Sequence, residues 1–350
     1  MKRNEDVILT DEGLPVKAVA PVILSISRST DIPAFYADWF FRRLDKGYCK
    51  WRNPFNGVDS FVAFRDVRFI VFWSKNPAPL LPYLEILRGK GINCYVQYTL
   101  NDYEAEGFEP GVLPLEKRIE TFRNLVGILG KGSVIWRFDP LLLTDKIGME
   151  DLLSKVEGIG NRLKDFTEKL VFSFADIAPY RKVAANLNQS GVNYREWSPS
   201  EMKTFAERLS DLNKAHGWNF ALATCAEKID LSQYGISHNR CIDDELITRI
   251  AWRDQILMHR LGMKIGQTEE SLFGDSALPN EAIDLGNGRY TVRTRANKDS
   301  GQRALCGCIA AKDIGRYNTC PHGCVYCYAN TSHSSALRNH SNHNPNNDFI

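Results

Sequence analysis

Three cysteines in the last tenth of the chain are spaced as ligands of a metal centre. Cys320, Cys324 and Cys327 form a C-x3-C-x2-C pattern on a loop that contains Pro and Gly, and Tyr326 directly precedes the third cysteine. A [4Fe–4S] cluster takes four ligands, so three local thiolates would leave one iron free for a ligand that is not protein. The spacing predicts such a cluster. The plainer alternatives are a structural zinc knuckle and three thiols that bind nothing.

An iron atom with an open position is typical of radical enzymes that use S-adenosylmethionine. We expect the open iron to bind the cofactor, which one electron would then cleave to start radical chemistry on an unidentified substrate. A reductant protein such as a flavodoxin or a ferredoxin would supply the electron. The leading rival is a non-radical protein in which the cysteines hold a structural iron–sulfur cluster or zinc and basic residues bind nucleic acid or a phosphorylated ligand. A hydrolase with a carboxylate-bound metal is a third possibility, which leaves the cysteines unexplained.

Four other cysteines predict a second metal site. They are Cys225, Cys241, Cys306 and Cys308. Four thiolates complete the ligand set of a second [4Fe–4S] cluster or of tetrahedral zinc, and we favour the cluster. The alternative is that some of them are buried apolar side chains, as free cysteines often are.

Composition and apolar patterning argue against a secreted protein and against a membrane protein. The chain has 350 residues, 43% hydrophobic and 25% charged, with a net charge of +2. This balance neither supports nor excludes nucleic acid as a partner. The first residues do not resemble a signal peptide, and no apolar run is long enough to span a membrane. Nine cysteines without a secretory signal predict reduced thiols and a cytoplasmic protein.

Apolar segments alternate with helical patterns over most of the chain. Continuous apolar runs are typical of parallel strands that are buried on both faces. The predicted strands are Val22–Ser27, Arg68–Trp73, Cys94–Leu100, Val134–Phe138, Leu170–Phe174 and Asn219–Thr224. The predicted helices are Ala34–Lys46, Pro79–Arg88, Leu115–Leu129, Met149–Leu163, Glu201–His216 and Asp243–Leu261. We therefore expect an α/β fold that forms a partial or full (β/α) barrel of the TIM type, with a doubly wound open sheet as the alternative.

The domain organisation follows from changes in composition. We expect a barrel-like domain over residues 1–261 and an insertion or lid-like excursion over 262–302, which is rich in Gly, Asn and charged residues. Residues 303–350 would complete the first domain, with a final strand at Cys306–Ile309 that leads into the cysteine loop. The Ser-, Asn- and His-rich tail from Thr331 to Ile350 predicts a poorly ordered end.

Polar residues at the predicted carboxyl ends of strands are the candidate ligand-binding residues, because these ends form the functional face of parallel α/β folds. Basic residues there would hold a carboxylate or phosphate, and acidic ones a ribose hydroxyl or an ammonium group. The alternative is a set of ion pairs and helix caps. The candidates for cofactor binding are Arg28, Lys75, Gln97, Arg137, Asp139 and Glu227.

The order of these elements is unusual, because a cluster loop of this kind normally follows the first strand of the barrel. A circular permutation would explain its place near the carboxyl terminus, since barrel termini lie close together.

Several segments resemble an uncharacterised bacterial domain-of-unknown-function family whose carboxyl-terminal cysteines are similar to the radical S-adenosylmethionine cluster motif. The resemblance covers about residue 20 to the end and differs most over Leu257–Arg293. It supports the fold and the cluster but implies no substrate. The Cys-x-Tyr-Cys-Tyr-Ala ending at Cys324–Ala329 is also locally similar to spore-photoproduct-lyase-type proteins, which would suggest nucleic-acid repair. The segments with the family resemblance are Ile26–Tyr36, Phe72–Pro77, Trp136–Pro140, Thr224–Asp230 and the cysteine loop.

Overall fold

A computed structural model describes residues 5–54, 56–225, 227–268 and 278–350. The strands of this part of the chain are β1 Glu5–Leu9, β2 Pro15–Val19, β3 Ile23–Ile26, β4 Tyr48–Arg52, β5 Asp59–Ala63, β6 Phe69–Ser74, β7 Asn93–Thr99, β8 Val134–Leu141, β9 Leu143–Thr144, β10 Lys169–Phe174, β11 Tyr194–Arg195, β12 Ala221–Thr224, β13 Ile236–His238, β14 Met263–Gln267, β15 Ile283–Gly286, β16 Arg289–Arg293 and β17 Lys312–Asp313. The helices are α1 Ile32–Phe35, α2 Ala37–Lys46, α3 Leu84–Gly89, α4 Leu115–Leu129, α5 Met149–Leu163, α6 Arg181–Gln189, α7 Pro199–Ala215, α8 Asp244–Ala251, α9 Gln255–Leu261 and α10 His333–Ser341, with 3₁₀ turns at Ala78–Tyr83 and Ser232–Tyr234.

The central element is a sheet of eight strands in the order β13-β12-β10-β8-β7-β6-β3-β17. Every neighbouring pair is parallel. From β3 to β13 each strand lies beside its predecessor, whereas β17 lies on the other side of β3. The prediction of an α/β fold with mostly parallel strands is confirmed. No pairing joins β13 to β17 in the described residues, so the structure does not show the full, closed barrel.

Both faces of this sheet are buried, which explains the continuous apolar runs in the sequence. On β6, Ile70 and Phe72 belong to the larger core, which also contains buried side chains of α2 to α7. Phe69 and Val71 on the same strand belong to a second core, formed with α8, α9 and the segment that contains Cys306 and Cys308. The alternation of side chains along each strand therefore divides them between two layers of helices.

Helix bounds agree best where the sequence contains clear start signals. α4 and α5 have the predicted bounds, and α7 starts with the predicted capping box between Ser198 and Glu201. The single helix predicted at Asp243–Leu261 is wrong, because Asp254 caps a new helix through the backbone N–H of Leu257 and separates α9 from α8. The helix predicted at Ala34–Lys46 is likewise divided into α1 and α2.

The strand that precedes the cysteine loop lies later than predicted. Residues Cys306–Ile309 do not form a strand; Ile309 makes only an isolated bridge with Lys298. The strand that enters the sheet is β17, whose Lys312 and Asp313 pair with Leu24 and Ser25 of β3.

Three smaller sheets accompany the central one in the described residues. The largest has the order β1-β2-β5-β4, and a short pair joins β9 to β11. The third, β14-β16-β15, is antiparallel and lies within the region predicted as an excursion. Its strands are short and carry many polar residues, and the sequence indicates only β16, through the strand-like run Tyr290–Arg295.

The end of the tail was predicted to be poorly ordered, but it packs on α2 and β4. The indole of Trp39 donates to the carbonyl of Asn347 at 2.9 Å, and the backbone N–H of Lys50 donates to the carbonyl of Asp348 at 2.7 Å. The ring of His343 meets that of Tyr36 edge-on at 4.9 Å. Among the described helices, none combines the length and apolar character that crossing a bilayer requires.

Candidate metal centre

The cysteine loop starts at the carboxyl end of β17, beside the carboxyl end of β3. The carboxylate of Asp313 joins these two strands, because it accepts hydrogen bonds from Ser25 Oγ at 3.0 Å, Ser27 Oγ at 2.7 Å and the backbone N–H of Arg28 at 2.8 Å. A Cβ atom at Gly315 would lie 1.8 Å from Ser27 Oγ, so only glycine allows this approach.

The three loop cysteines lie within range of each other's charge, and two of them accept backbone hydrogen bonds. Cys320 accepts from the backbone N–H groups of Asp31 and His322, and Cys327 accepts from that of Asn330 at 3.3 Å. Burial raises the pKa of Cys320 to about 12, and it also raises the pKa values of Cys324 and Cys327. Repulsion from the other two thiolates contributes at Cys324.

This donor set fits a thiolate-ligated metal cluster. A cationic metal group would relieve the repulsion among the three thiolates, and backbone N–H groups directed at ligand sulfurs are a usual means of tuning such clusters. In the part of the chain that the structure describes, no three His, Cys, Asp or Glu side chains are arranged as they would be around a bound metal ion.

A network of buried polar side chains contacts the cysteine loop at Tyr326. The hydroxyl of Tyr326 donates to Glu109 Oε1, which also accepts from Lys75 Nζ at 2.7 Å and Asn101 Nδ2 at 3.0 Å. The guanidinium of Arg118 lies 3.9 Å from the other oxygen of Glu109. Burial alone would raise the pKa of Glu109, but the charges of Lys75 and Arg118 outweigh it and lower that pKa to about 2.

A buried imidazole anchors the middle of the loop. His322 Nε2 lies 2.7 Å from Asp31 Oδ2, and His322 Nδ1 lies 3.2 Å from the carbonyl of Gly111. The backbone N–H of Gly111 donates to the carbonyl of His322 at 2.8 Å. A Cβ atom at Gly111 would lie 2.6 Å from that carbonyl oxygen, so glycine is needed here as well.

The four remaining candidate cysteines form a second group, here called the second cysteine set. Cys225 Sγ lies 3.5 Å from Cys241 Sγ, and Cys308 Sγ accepts the backbone N–H of Cys241 at 3.2 Å. Cys306 interacts with Cys308 through its side chain. Hydrogen bonds from Cys225 and Cys308, with the charge of Arg137, hold the pKa of Cys241 well below its usual range despite burial.

Two of the predicted cofactor-binding residues contact this second set. Arg137 Nη1 donates to Cys241 Sγ at 3.3 Å and to Gln97 Oε1 at 3.3 Å. Gln97 Nε2 donates to the carbonyl of Cys241 at 2.9 Å. Arg28 Nε lies 3.8 Å from Asp313 Oδ2. The guanidinium groups of Arg28 and Arg137 both lie over the ring of Trp73.

The acidic candidates form a cluster at the next strands along the sheet. Asp139 is bonded to Arg137 and to the hydroxyl of Ser173, and Glu227 accepts the backbone N–H of Phe174 at 3.0 Å. Burial, followed by the charges of Asp139 and Asp176, raises the pKa of Glu227 to about 7.

The six predicted residues thus occupy neighbouring positions along one edge of the sheet. Of these, Lys75 contacts the loop network directly. Sequence reasoning missed Glu109, Asn101 and Asp313. Asn101 directly follows the third predicted strand and could have been found by the strand-end criterion, whereas Glu109 lies in a loop without any periodic signal.

The fold defines an α/β protein with a parallel sheet and two groups of cysteines, one on the loop that follows β17 and one on the segments after β12, before α8 and before β17. A family model described as "Domain of unknown function (DUF1848)" matches residues 23–329, and the chain belongs to this family. The comparison with curated proteins gives no match, and neither does the comparison with solved structures.

Proposed function

We propose that this protein is an iron–sulfur enzyme of the radical S-adenosylmethionine type, with a [4Fe–4S] cluster on Cys320, Cys324 and Cys327. The observation that carries the proposal is the position of these thiols on a loop that follows a parallel strand at its carboxyl end, with backbone N–H groups directed at two of the sulfurs. Once bound and reduced, such a cluster cleaves S-adenosylmethionine and so starts radical chemistry.

The proposed fold is a circularly permuted partial barrel. Its support is the place of β17, which is the last parallel strand in the chain but lies beside β3, the first. In this interpretation β17 and the cysteine loop form the opening unit of the barrel, which the chain supplies last.

The side chains around the loop would position the reactants. Lys75 and Glu109 form hydrogen bonds with the hydroxyl of Tyr326. They thereby fix the orientation of Tyr326, which directly precedes the third ligand, Cys327. Arg28, whose side chain is one-third exposed, is the cation best placed to hold a carboxylate of the cofactor. Asp139 and Glu227 would accept hydrogen bonds from the hydroxyl or ammonium groups of the cofactor. Gln97 and Arg137, which contact Cys241 of the second cysteine set, would also bind the cofactor. A cytoplasmic flavodoxin or ferredoxin would supply the electron.

Anaerobic reconstitution followed by a cofactor-cleavage assay tests the proposal. We expect about four irons bound through Cys320, Cys324 and Cys327 and release of 5′-deoxyadenosine after reduction. The variant Cys324→Ala should lose this release, whereas Cys94→Ala, which alters a buried thiol of the larger core, should retain it. Full cleavage by Cys324→Ala would refute the proposal.

Electron paramagnetic resonance of the reduced protein distinguishes the enzyme from its rival. A spectrum that changes when S-adenosylmethionine is added supports the enzyme. The rival, a structural metal protein, instead predicts stoichiometric zinc that disappears in Cys324→Ala, or a cluster whose spectrum does not respond.

A further inference from the structure

The second cysteine set joins three separate segments of the chain. Cys225 directly follows β12, Cys241 lies three residues before α8, and Cys306 and Cys308 lie before β17. Cys241, Cys306 and Cys308 are buried, and Cys225 is partly exposed. These thiols lie on the face of the sheet opposite the larger core, in a layer that also contains α8 and α9.

The spacing of the sulfurs favours a single metal ion over a cluster. Cys225 Sγ and Cys241 Sγ are 3.5 Å apart. Tetrahedral zinc with bonds of about 2.3 Å places its ligand sulfurs about 3.8 Å apart. A [4Fe–4S] cube attaches each thiolate to a different iron and therefore holds the sulfurs much farther apart. A disulfide would need them much closer.

The surroundings offset the negative charge that such a site would carry. Zinc with four thiolates has a net charge of about −2. The buried guanidinium of Arg137 and the amide of Asn239 donate to Cys241 Sγ at 3.3 and 3.2 Å. The backbone N–H groups of Cys241 and Ile242 donate to Cys308 Sγ at 3.2 and 3.4 Å. Donors of this kind orient zinc ligands and stabilise their ionised form.

We propose that Cys225, Cys241, Cys306 and Cys308 bind one structural zinc ion. Four protein thiolates close the coordination sphere, so no position remains for a substrate. The ion would connect the end of β12 to the segment that leads into β17, and so hold the cysteine loop against the sheet. The described residues do not show the four thiols around a single point, so metal binding would draw their side chains together.

Metal analysis of a chain that lacks the first site tests this assignment. The triple variant Cys320→Ala/Cys324→Ala/Cys327→Ala should contain about one zinc per chain. Replacement of zinc by cobalt should produce the intense sulfur-to-cobalt absorption of a tetrahedral thiolate site. Adding Cys308→Ser to the triple variant should abolish both signals, and adding Cys94→Ser should leave them unchanged.

Three results would overturn the proposal. They are about four irons with cluster absorption in the triple variant, a Cys225–Cys241 disulfide found by mass spectrometry without metal, and undiminished zinc after Cys308→Ser. If the Cys308 variant fails to fold, the cobalt spectrum of the triple variant still decides between four thiolates and another ligand set. None of these measurements depends on cofactor cleavage, so failure here and failure of the proposed enzyme activity remain distinguishable.

Discussion

Glu109 is the carboxylate on which the polar side chains beneath the cysteine loop converge. Its side chain is only 4% exposed and compensates Lys75 and Arg118, of which the latter is 1% exposed. A buried ion pair adds little net stability, but removal of one partner leaves an uncompensated charge in a medium of low polarity. The network therefore makes the support of the loop sensitive to a single change.

The variant Glu109→Gln should lower the free energy of unfolding by about 3 kcal/mol, because it leaves the buried Lys75 without its anion and Arg118 with only the half-exposed Glu104. Urea unfolding monitored by tryptophan fluorescence measures this loss. Glu120→Gln is the matched control, since the Glu120 side chain is 62% exposed and its pair with Lys117 lies at the surface. Equal urea midpoints for the two variants would contradict the proposed role of Glu109 in compensating the buried cations.

At the residue scale, the sequence indicates candidate ligands more readily than the residues that support them. Cysteine spacing carries its own signal, because a metal needs several thiolates at short range. Lys75 was found because it follows a strand. Glu109 contacts Tyr326 across 217 positions of sequence, and nothing in the local pattern of either residue encodes that pairing.

At the scale of the elements, the amino-terminal end of α7 is closed by a capping box. Ser198 Oγ accepts the backbone N–H of Glu201, whose carboxylate accepts the backbone N–H of Ser198. A hydrogen bond from Arg195, followed by those from Ser198, lowers the pKa of Glu201 to about 2. Because the folded pKa lies below the unfolded one, this contribution is complete above about pH 4.5 and is lost as the pH falls towards 2.

Glu201→Gln should therefore lower stability by about 1 kcal/mol at pH 7, since it removes the ion pair with Arg195 and replaces the charged acceptor of the Ser198 N–H by a neutral amide oxygen, which closes the capping box more weakly. The difference from the parent chain should shrink as the pH falls below 4.5. Urea titrations at several pH values measure it, with the exposed mid-helix change Glu207→Gln as control. A difference that stays constant down to pH 3 would contradict the role of the carboxylate.

Helix bounds were predictable where caps and periodicity agree, and not where they compete. Apolar residues recur from Leu246 through Trp252 to Leu257, so Asp243–Leu261 resembled a single helix. Asp254 ends that continuity because its carboxylate binds the N–H of Leu257 and starts α9. A prediction based on apolar periodicity alone does not detect a capping residue inside a periodic segment.

At the scale of the whole molecule, the important contact is the pairing of β3 with β17, the first and last strands of the central sheet in chain order. β17 has only two residues, and the Asp313 side chain supplies most of the polar contacts that hold it. The cysteine loop follows directly, so its position depends on this short strand.

Asp313→Ala should lower stability by at least about 2 kcal/mol, because hydrogen bonds to a charged acceptor are lost at a partly buried site. Hydrogen–deuterium exchange should rise selectively in β3 and in the cysteine loop. Asp211→Ala, at a 71% exposed position on α7, should leave exchange there unchanged. Unaltered protection of the loop in Asp313→Ala would show that β17 is held by other contacts.

The succession of parallel strands could be predicted, since each one is a local apolar run and consecutive strands of this class are usually neighbours. Closure of the sheet could not, because it depends on whether β13 and β17 meet. Packing of the tail was missed for a related reason. Composition suggested disorder, yet Trp39 and Lys50 supply specific partners for Asn347 and Asp348 that only the fold brings close.

The pairing of β3 with β17 also determines an order of events during synthesis. Ser25 and Asp313 are 288 positions apart, so one edge of β3 stays unpaired until residue 313 has left the ribosome. An unpaired strand edge can pair with other chains while it is exposed. The cysteine loop is translated later still. A metal group held by the proposed cysteine ligands would therefore be delivered only after the other strands of the central sheet have been translated.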